Sequence, residues 1–298
     1  MIISDRWRDY ALLDTSRGER LERWGKYILA RPDPQVIWDT ARTRAEWRKP
    51  DARYVRSSTG GGAWERHSVP DSWEIAYGDL KFTVRPTNFK HTGLFPEQAA
   101  NWDYIAAKIR NRIDNRVGAA VGKPVSVLNL FAYTGGATLA AAAAGAEVCH
   151  VDAARGMVQW ARDNAKLSGL ENRPIRWIVD DCVTFLEREI RRERRYDAII
   201  MDPPSYGRGP NGETWKLEDD LYRLVQTATR ALSDNPLFFV INSYTTGLSP
   251  ATLTYIAGTV LTKRYGGTAQ SDELALPVQD SGLYLPCGAT MRWEDVRS

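Results

Sequence analysis

Four stretches of this 298-residue chain set carboxylates, glycines and aromatic rings close together in sequence. Asp202-Pro203-Pro204-Ser205-Tyr206 follows the apolar run Ala198–Met201. Two prolines fix the backbone and remove two donors, so a carboxylate stands beside rigid carbonyl acceptors and a ring. Such a set holds an amino group or a flat base. Val127–Gly136 reads as a buried strand that passes through Phe131, Tyr133 and Thr134 into the pair Gly135-Gly136 and then a helix. Glycine permits positive φ and close backbone approach, and a helix N-terminus offers N–H groups to a carboxylate. The stretch is not GxGxxG and no Walker lysine follows, which weakens dinucleotide and nucleoside-triphosphate readings. Asp152 ends the strand at His150-Val151-Asp152; a carboxylate there accepts from both hydroxyls of a ribose, or merely caps the next helix. Asp180-Asp181-Cys182 follows the next strand. One of these carboxylates can accept from an adenine amino group and the other can cap a helix, and the sequence alone leaves open which does which.

The elements around these stretches alternate. Helices are expected over Gln98–Arg116, Gly136–Ala144, Gly156–Leu167, Val183–Arg194, Glu218–Leu232 and Pro250–Leu261. Strands are expected at Val125–Phe131, Glu147–Val151, Ile175–Val179, Asp197–Met201 and Leu237–Asn242, with two more near Thr268–Leu276 and Tyr284–Trp293. Alternation of this kind argues an α/β domain with a doubly wound, mostly parallel sheet, which binds ligands beyond the carboxyl ends of its strands at the switch point. Residues 1–88 have a different texture. They hold Trp7, Trp24, Trp38, Trp47, Trp64 and Trp73 and short apolar groups at Tyr27–Leu29, Val36–Trp38, Trp73–Tyr77 and Leu80–Val84, with a turn at Gly78-Asp79. This reads as a small β-rich domain whose tryptophans fill a small core or stack on bases. Residues 89–298 then form the α/β domain.

Composition sets the outer bounds. Apolar residues at 43%, charged residues at 26% and a net charge of +3 describe an ordinary globular chain and exclude a fibre or a disulfide scaffold. There is no apolar run long enough to span a bilayer, and the first ten residues carry charges where a signal peptide needs an apolar core. Cys149, Cys182 and Cys287 are too scattered for a disulfide framework or a zinc site and suit a reducing cytoplasm. His67, His91 and His150 are equally dispersed, so no metal is expected. Arg188, Arg191, Arg192, Arg194 and Arg195 interleave with Glu187, Glu189 and Glu193, the pattern of a solvated helix face. The Gly-rich stretch Gly207–Trp215 reads as a loop that can cover a substrate.

In this order and spacing the four stretches resemble a class I S-adenosylmethionine (SAM)-dependent methyltransferase. Phe131-Ala-Tyr-Thr-Gly-Gly136 and Asp202-Pro-Pro-Ser-Tyr206 are similar to the bacterial large-subunit ribosomal RNA methyltransferases, a family with cytosine-C5 and guanine-N7 branches. Lys90-His-Thr-Gly-Leu-Phe-Pro-Glu-Gln98 resembles that family's lead-in, and Leu283-Tyr-Leu-Pro-Cys-Gly288 its final strand. The resemblance covers roughly residues 75–298 and implies a Rossmann-like methyltransferase fold with a seven-stranded sheet. It implies that Phe131, Tyr133, Thr134, Gly135 and Gly136 line the methionine part of SAM, Asp152 holds the ribose, and Asp181 or Asp180 faces the adenine. Thr92, Phe95 and Gln98 cover the cofactor, and Asp202, Pro203, Pro204 and Tyr206 face the acceptor. It implies RNA as partner, with a protein or small-molecule acceptor as the alternative, and the family's separate N-terminal RNA-binding domain is not recognised in residues 1–75. The cytosine-C5 branch attacks its base with a cysteine after the fifth strand. That place here reads Asn242-Ser-Tyr-Thr-Thr246, so direct transfer to a base nitrogen is expected.

Overall fold

The computed structural model describes residues 1–57, 61–115, 123–208, 214–245 and 247–295. It divides into two compact units, one of Met1–Ala100 with Leu274–Cys287 and one of Asn101–Glu273 with Gly288–Ser298.

The first unit contains β1 (Ile2–Ile3), β2 (Tyr10–Ser16), β3 (Glu19–Trp24), β4 (Tyr27–Pro32), β5 (Ala52–Arg56), β6 (Gly62–Arg66), β7 (Trp73–Tyr77) and β8 (Leu80–Val84). Strands β2 to β6 form one sheet in chain order; β7 and β8 form a hairpin whose Tyr77–Leu80 pair closes on the expected Gly78-Asp79 turn, with Gly78 at φ 56. The side chains of β3 alternate between two faces. Leu21 packs with Leu13, Ala30 and Trp47, while Arg20, Glu22 and Trp24 are buried with it. Glu22 is fully buried. It accepts from the Tyr10 hydroxyl at 2.8 Å and from Arg31 Nη2 at 2.9 Å, and Arg31 Nε also donates to it. Burial alone would raise the Glu22 carboxyl, but Arg20 and Arg31 outweigh burial and hold it at about 2. The strand expected at Val36–Trp38 does not form. The carbonyls of Val36 and Trp38 instead accept from Gly18 and Arg17, the two left-handed residues that turn β2 into β3, and so serve that turn rather than a ladder.

The second unit is wound about a parallel sheet. Its elements are α1 (Ala99–Asp114), β9 (Ser126–Leu130), α2 (Gly136–Ala143), β10 (Glu147–Asp152), α3 (Arg155–Leu167), β11 (Ile175–Val179), α4 (Cys182–Arg191), β12 (Ala198–Met201), β13 (Tyr206–Arg208), β14 (Thr214–Lys216), α5 (Leu217–Thr229), β15 (Phe238–Ser243), α6 (Pro250–Ala257) and α7 (Lys263–Tyr265). The long strands β16 (Thr268–Pro277) and β17 (Tyr284–Glu294) follow, their stretch Leu274–Cys287 counted with the first unit. The order β16-β17-β15-β12-β9-β10-β11 gives the seven strands expected; β1 pairs with Leu274 and Ala275 of β16, all within the first unit. β17 runs antiparallel to β15, so the sheet is mixed. Alternate residues face opposite layers: Leu128, Leu130, Ile199 and Met201 pack under α4, α5 and α6, while Val127, Ile200 and Val240 pack under α1 and α2. The small alanines of α2 allow close approach on that side. Among the described residues no helix is long and apolar enough to cross a membrane.

Candidate active site

Register alone gathers the sequence motifs. Leu130 pairs with Val151 on one side and with Met201 on the other, and Met201 pairs with Ile241; Asp152 pairs with Val179. The residues that follow this row, Asp180, Asp152, Phe131, Asp202 and Asn242, therefore stand along one rim of the parallel sheet. β9 is the switch point, with β10 and β11 on one side and β12 and β15 on the other.

The turn after β9 is conformationally costly. Phe131 and Tyr133 adopt left-handed φ of 55 and 51, and Gly135 a φ of 90. A left-handed non-glycine residue costs about 1–3 kcal/mol and persists where its surroundings hold it. Asp152 supplies one clamp, accepting from Tyr133 N and Ala154 N, each at 2.9 Å. Cys182 supplies another: its sulfur accepts from Phe131 N at 3.2 Å and donates to Val151 O at 3.7 Å. Burial raises the Asp152 carboxyl against the pull of these two N–H groups. The two glycines meet protein rather than open space. A Cβ on Gly136 would lie 2.4 Å from the Trp102 ring, and one on Gly135 3.0 Å from Ala161 Cβ. Thr134 is buried, and its carbonyl accepts from Asn164 Nδ2 at 3.0 Å. The N-terminus of α2 has no side-chain cap.

The paired aspartates after β11 divide their work. Asp181 is the N-cap of α4, accepting from Thr184 N at 2.8 Å. Asp180 accepts from Asp181 N at 3.0 Å and pairs with Arg188.

On the other side of the switch point, Asp202 N donates to Leu130 O at 3.4 Å. Pro203 is buried and Pro204 exposed. Tyr206 is 55% exposed and starts the β13–β14 hairpin, paired with Lys216. Residues 209–213 of the loop expected to cover a substrate lie outside the described residues. Sequence reasoning missed Trp215. Its indole N–H donates to the Pro204 carbonyl at 2.7 Å, and its ring centroid lies 6.2 Å from that of Phe131, so one side chain ties the two loops together. It also missed a buried amide cluster beside the rim. Asn101 Nδ2 donates to Asn242 Oδ1 at 2.9 Å and Thr290 Oγ1 at 3.1 Å, and Asn101 Oδ1 accepts from Arg292 Nε at 2.9 Å. No local signal links residues so far apart in the chain.

Thr92, Phe95 and Gln98 belong to the first unit. Thr92 and Gln98 are buried there, and Phe95 lies against His91 with ring centroids 5.2 Å apart. Burial, and after it Arg31, Lys90 and Arg20, lowers His91 to about 3, so its ring is neutral at physiological pH. His150 is a core residue: Thr138 Oγ1 meets its Nδ1 at 2.9 Å, and burial lowers it to about 3.

Residues 50–249 match the family described as S-adenosylmethionine-dependent methyltransferase. The chain belongs to that family. This methyltransferase is an enzyme that uses SAM, and its relatives bear that out. It is 35% identical, with a TM-score of 0.89, to the crystal structure of a SAM-dependent methyltransferase from Agrobacterium tumefaciens, covering 98% of this chain and 92% of that one. A putative methyltransferase from Streptococcus mutans, 18% identical with a TM-score of 0.72 over 97% of this chain and 76% of its own, shares the fold. Among curated relatives, the ribosomal RNA large subunit methyltransferase K/L of Pseudoalteromonas atlantica is 31% identical over 161 residues, 53% of this chain and 20% of its own length. That of Methylococcus capsulatus is 32% identical over 180 residues, 60% of this chain and 21% of its own. The methyltransferase spans about a fifth of the length of these curated relatives.

Proposed function

We propose that this methyltransferase methylates RNA, at a base nitrogen of large-subunit ribosomal RNA, by direct in-line transfer without a covalent enzyme–base intermediate. The names of the curated relatives support RNA as acceptor. An RNA substrate of this kind puts the enzyme in the cytoplasm.

The observation that carries the mechanism is the state of the thiols. A cytosine-C5 reaction needs a thiolate to add to the base. Burial pushes Cys149 up to about 11 and also raises Cys182 and Cys287 above the ordinary thiol value, so all three are protonated at neutral pH. Cys182 is engaged with two backbone groups, and Cys287 with the Leu285 carbonyl. A nitrogen lone pair needs no such nucleophile.

The residues along the rim suit SAM. Each Asp152 oxygen takes one backbone N–H, and a carboxylate has about four acceptor positions, enough for two ribose hydroxyls as well. Phe131, Tyr133, Thr134, Gly135 and Gly136 frame the methionine part, where the uncapped start of α2 favours a carboxylate. Asp181, held as the cap of α4, is the better placed of the two aspartates for the adenine, because Asp180 is paired with Arg188. SAM supplies a methyl group on a sulfonium that is already a good leaving group. The protein's task is orientation, worth several powers of ten in rate. Where the acceptor is an exocyclic amine, Asp202 accepts one of its hydrogens, aims its lone pair and receives the proton released as the N–C bond forms and the S–C bond breaks. Tyr206 stacks on the base. Of the two proline carbonyls, that of Pro204 already accepts from Trp215.

The test is transfer of labelled methyl from SAM into a lysate of a strain lacking this gene, separated into RNA, protein and small-molecule fractions. Label released by ribonuclease, with an N-methylated base on nucleoside analysis, is the expected result. Label confined to protein or small molecules overturns the RNA reading, and a C5-methylated cytosine overturns the mechanism.

A further inference from the structure

We propose that a groove between α4 and α5 binds the phosphate backbone of the RNA substrate, away from the rim that holds the reacting base. The proposal rests on the RNA reading above. In sequence, the arginines near the end of α4 look like one solvated helix face. The structure adds a second helix. A groove of about 510 Å³ is lined by Glu187, Ile190 and Arg191 from one side and by Arg223, Gln226, Thr227 and Arg230 from the other. Arg223 and Arg230 are seven residues apart, about two helical turns, and so share one stripe of α5.

Charge pairing separates this groove from its surroundings. Arg188 pairs with Asp180, Arg192 with Glu189 and Arg176 with Glu189. Among the described residues Arg191, Arg223 and Arg230 have no carboxylate within 4.0 Å, and Glu187 is the one acid in the lining. Cations at helix C-termini complement the helix dipole, which accounts for Arg191 and Arg230 but not for Arg223, in the middle of α5. Three exposed guanidinium groups converging on one open groove suit successive phosphates, which guanidinium binds in a bidentate manner. Their place suits it too. The start of α5 is tied to the acceptor loop by Leu217 N donating to Ser205 O at 3.1 Å. From there α5 carries Arg223 about 9 Å and Arg230 about 20 Å along its axis, away from Asp202, so the groove takes backbone beyond the reacting nucleotide. Phosphate contacts of this kind position the nucleic acid, and the base site specifies.

The test compares the full chain with Arg191→Gln/Arg223→Gln/Arg230→Gln, and with the same three positions changed to Lys. The probe is a transcript of large-subunit ribosomal RNA, and binding is followed over about 50–200 mM salt. The glutamine variant should bind at least about tenfold more weakly, with a slope of log K against log salt shallower by about 2, and lysine should restore much of both. SAM affinity, measured by calorimetry, should be unchanged in either variant. Equal affinity and slope in the glutamine variant, or no binding by the unaltered protein, overturns the groove. Methyl transfer separates the two readings. Groove-dependent binding with no label entering RNA leaves the groove standing and removes the acceptor reading. RNA methylation at an unchanged KM in the glutamine variant removes the groove and leaves the acceptor reading.

Discussion

In the first unit Glu22 lies fully buried between Arg20 and Arg31, on a strand, Glu19-Arg-Leu-Glu-Arg-Trp24, in which four of the six residues are charged. In the second, the sheet interior is mostly apolar, and Asp152, Asp180 and Asp202 stand where the strands end. The same residue types thus do opposite work. A carboxylate sealed in with two guanidinium groups specifies a fold, because losing any partner leaves an unmatched charge in a poor solvent for it. Asp152, at a strand end, takes one backbone N–H on each oxygen and keeps further acceptor positions for a ligand. Carboxylate position relative to the sheet, more than carboxylate count, separates the buried charge cluster of the first unit from the proposed site of the second.

The largest expected effect tests the structural half of that contrast. Glu22→Gln removes the charge that Arg20 and Arg31 face and should destabilise the protein by about 3–5 kcal/mol, read by urea unfolding followed by tryptophan fluorescence. The pH dependence has a definite sign. The Glu22 carboxyl is lowered to about 2 in the folded state, below its unfolded range of about 4.3. Its contribution is therefore complete above about pH 4.3 and is lost as pH falls toward 2. The variant should lack that acid limb, and a variant within about 1 kcal/mol of the parent would show that the cluster does not hold the unit together.

Next in size is the reactive half. Asp202→Ala should lower methyl transfer by about 100-fold or more while SAM affinity stays within a few-fold. Full turnover in this variant would move the acceptor site elsewhere. Asp152→Asn should weaken SAM binding by about tenfold, the order expected for a lost charge-assisted pair of hydrogen bonds, and should cost about 1–3 kcal/mol of stability, because one oxygen that takes a backbone N–H becomes a donor. Because burial raises the Asp152 carboxyl, SAM affinity of the parent should fall on acidification before ordinary aspartates titrate. The asparagine variant should be flat over the same range, and a parallel decline in both would assign the pH dependence to another group.

How far each unit could be read in advance follows from the same contrast. In the second unit, apolar runs broken by glycines announce strands and turns, and each helix and strand expected there forms within a few residues, while β13 and β14 form in the stretch expected as a loop. The rim could be read because each stretch proposed for the site directly follows its strand. In the first unit, Glu19-Arg-Leu-Glu-Arg-Trp24 does not read as a strand, because half of its buried face is charged, and a pattern argument assumes that buried means apolar. Its partners Arg31 and Asp33 come from another part of the chain. The same blindness hid Asn101, whose partners Asn242, Thr290 and Arg292 are paired with it only by the fold. It also hid the α4–α5 groove, where each helix alone shows only ordinary surface arginines.

Trp215 sharpens the comparison at its finest grain, because it is neutral and sits between the two loops of the reactive rim. Its indole N–H holds the Pro204 carbonyl while its ring lies beside Phe131. Trp215→Phe keeps a ring and removes only the donor. A neutral hydrogen bond is worth about 1 kcal/mol, so the expected loss is about fivefold in kcat. SAM affinity should be unchanged, since the Asp152 and Cys182 clamps on Phe131 and Tyr133 remain. Trp215→Ala removes the ring as well and should add a rise in the dissociation constant for SAM. Should the phenylalanine variant instead weaken SAM binding and leave kcat intact, Trp215 would belong to the cofactor side of the rim, and the Asp-Pro-Pro loop would hold its shape without it.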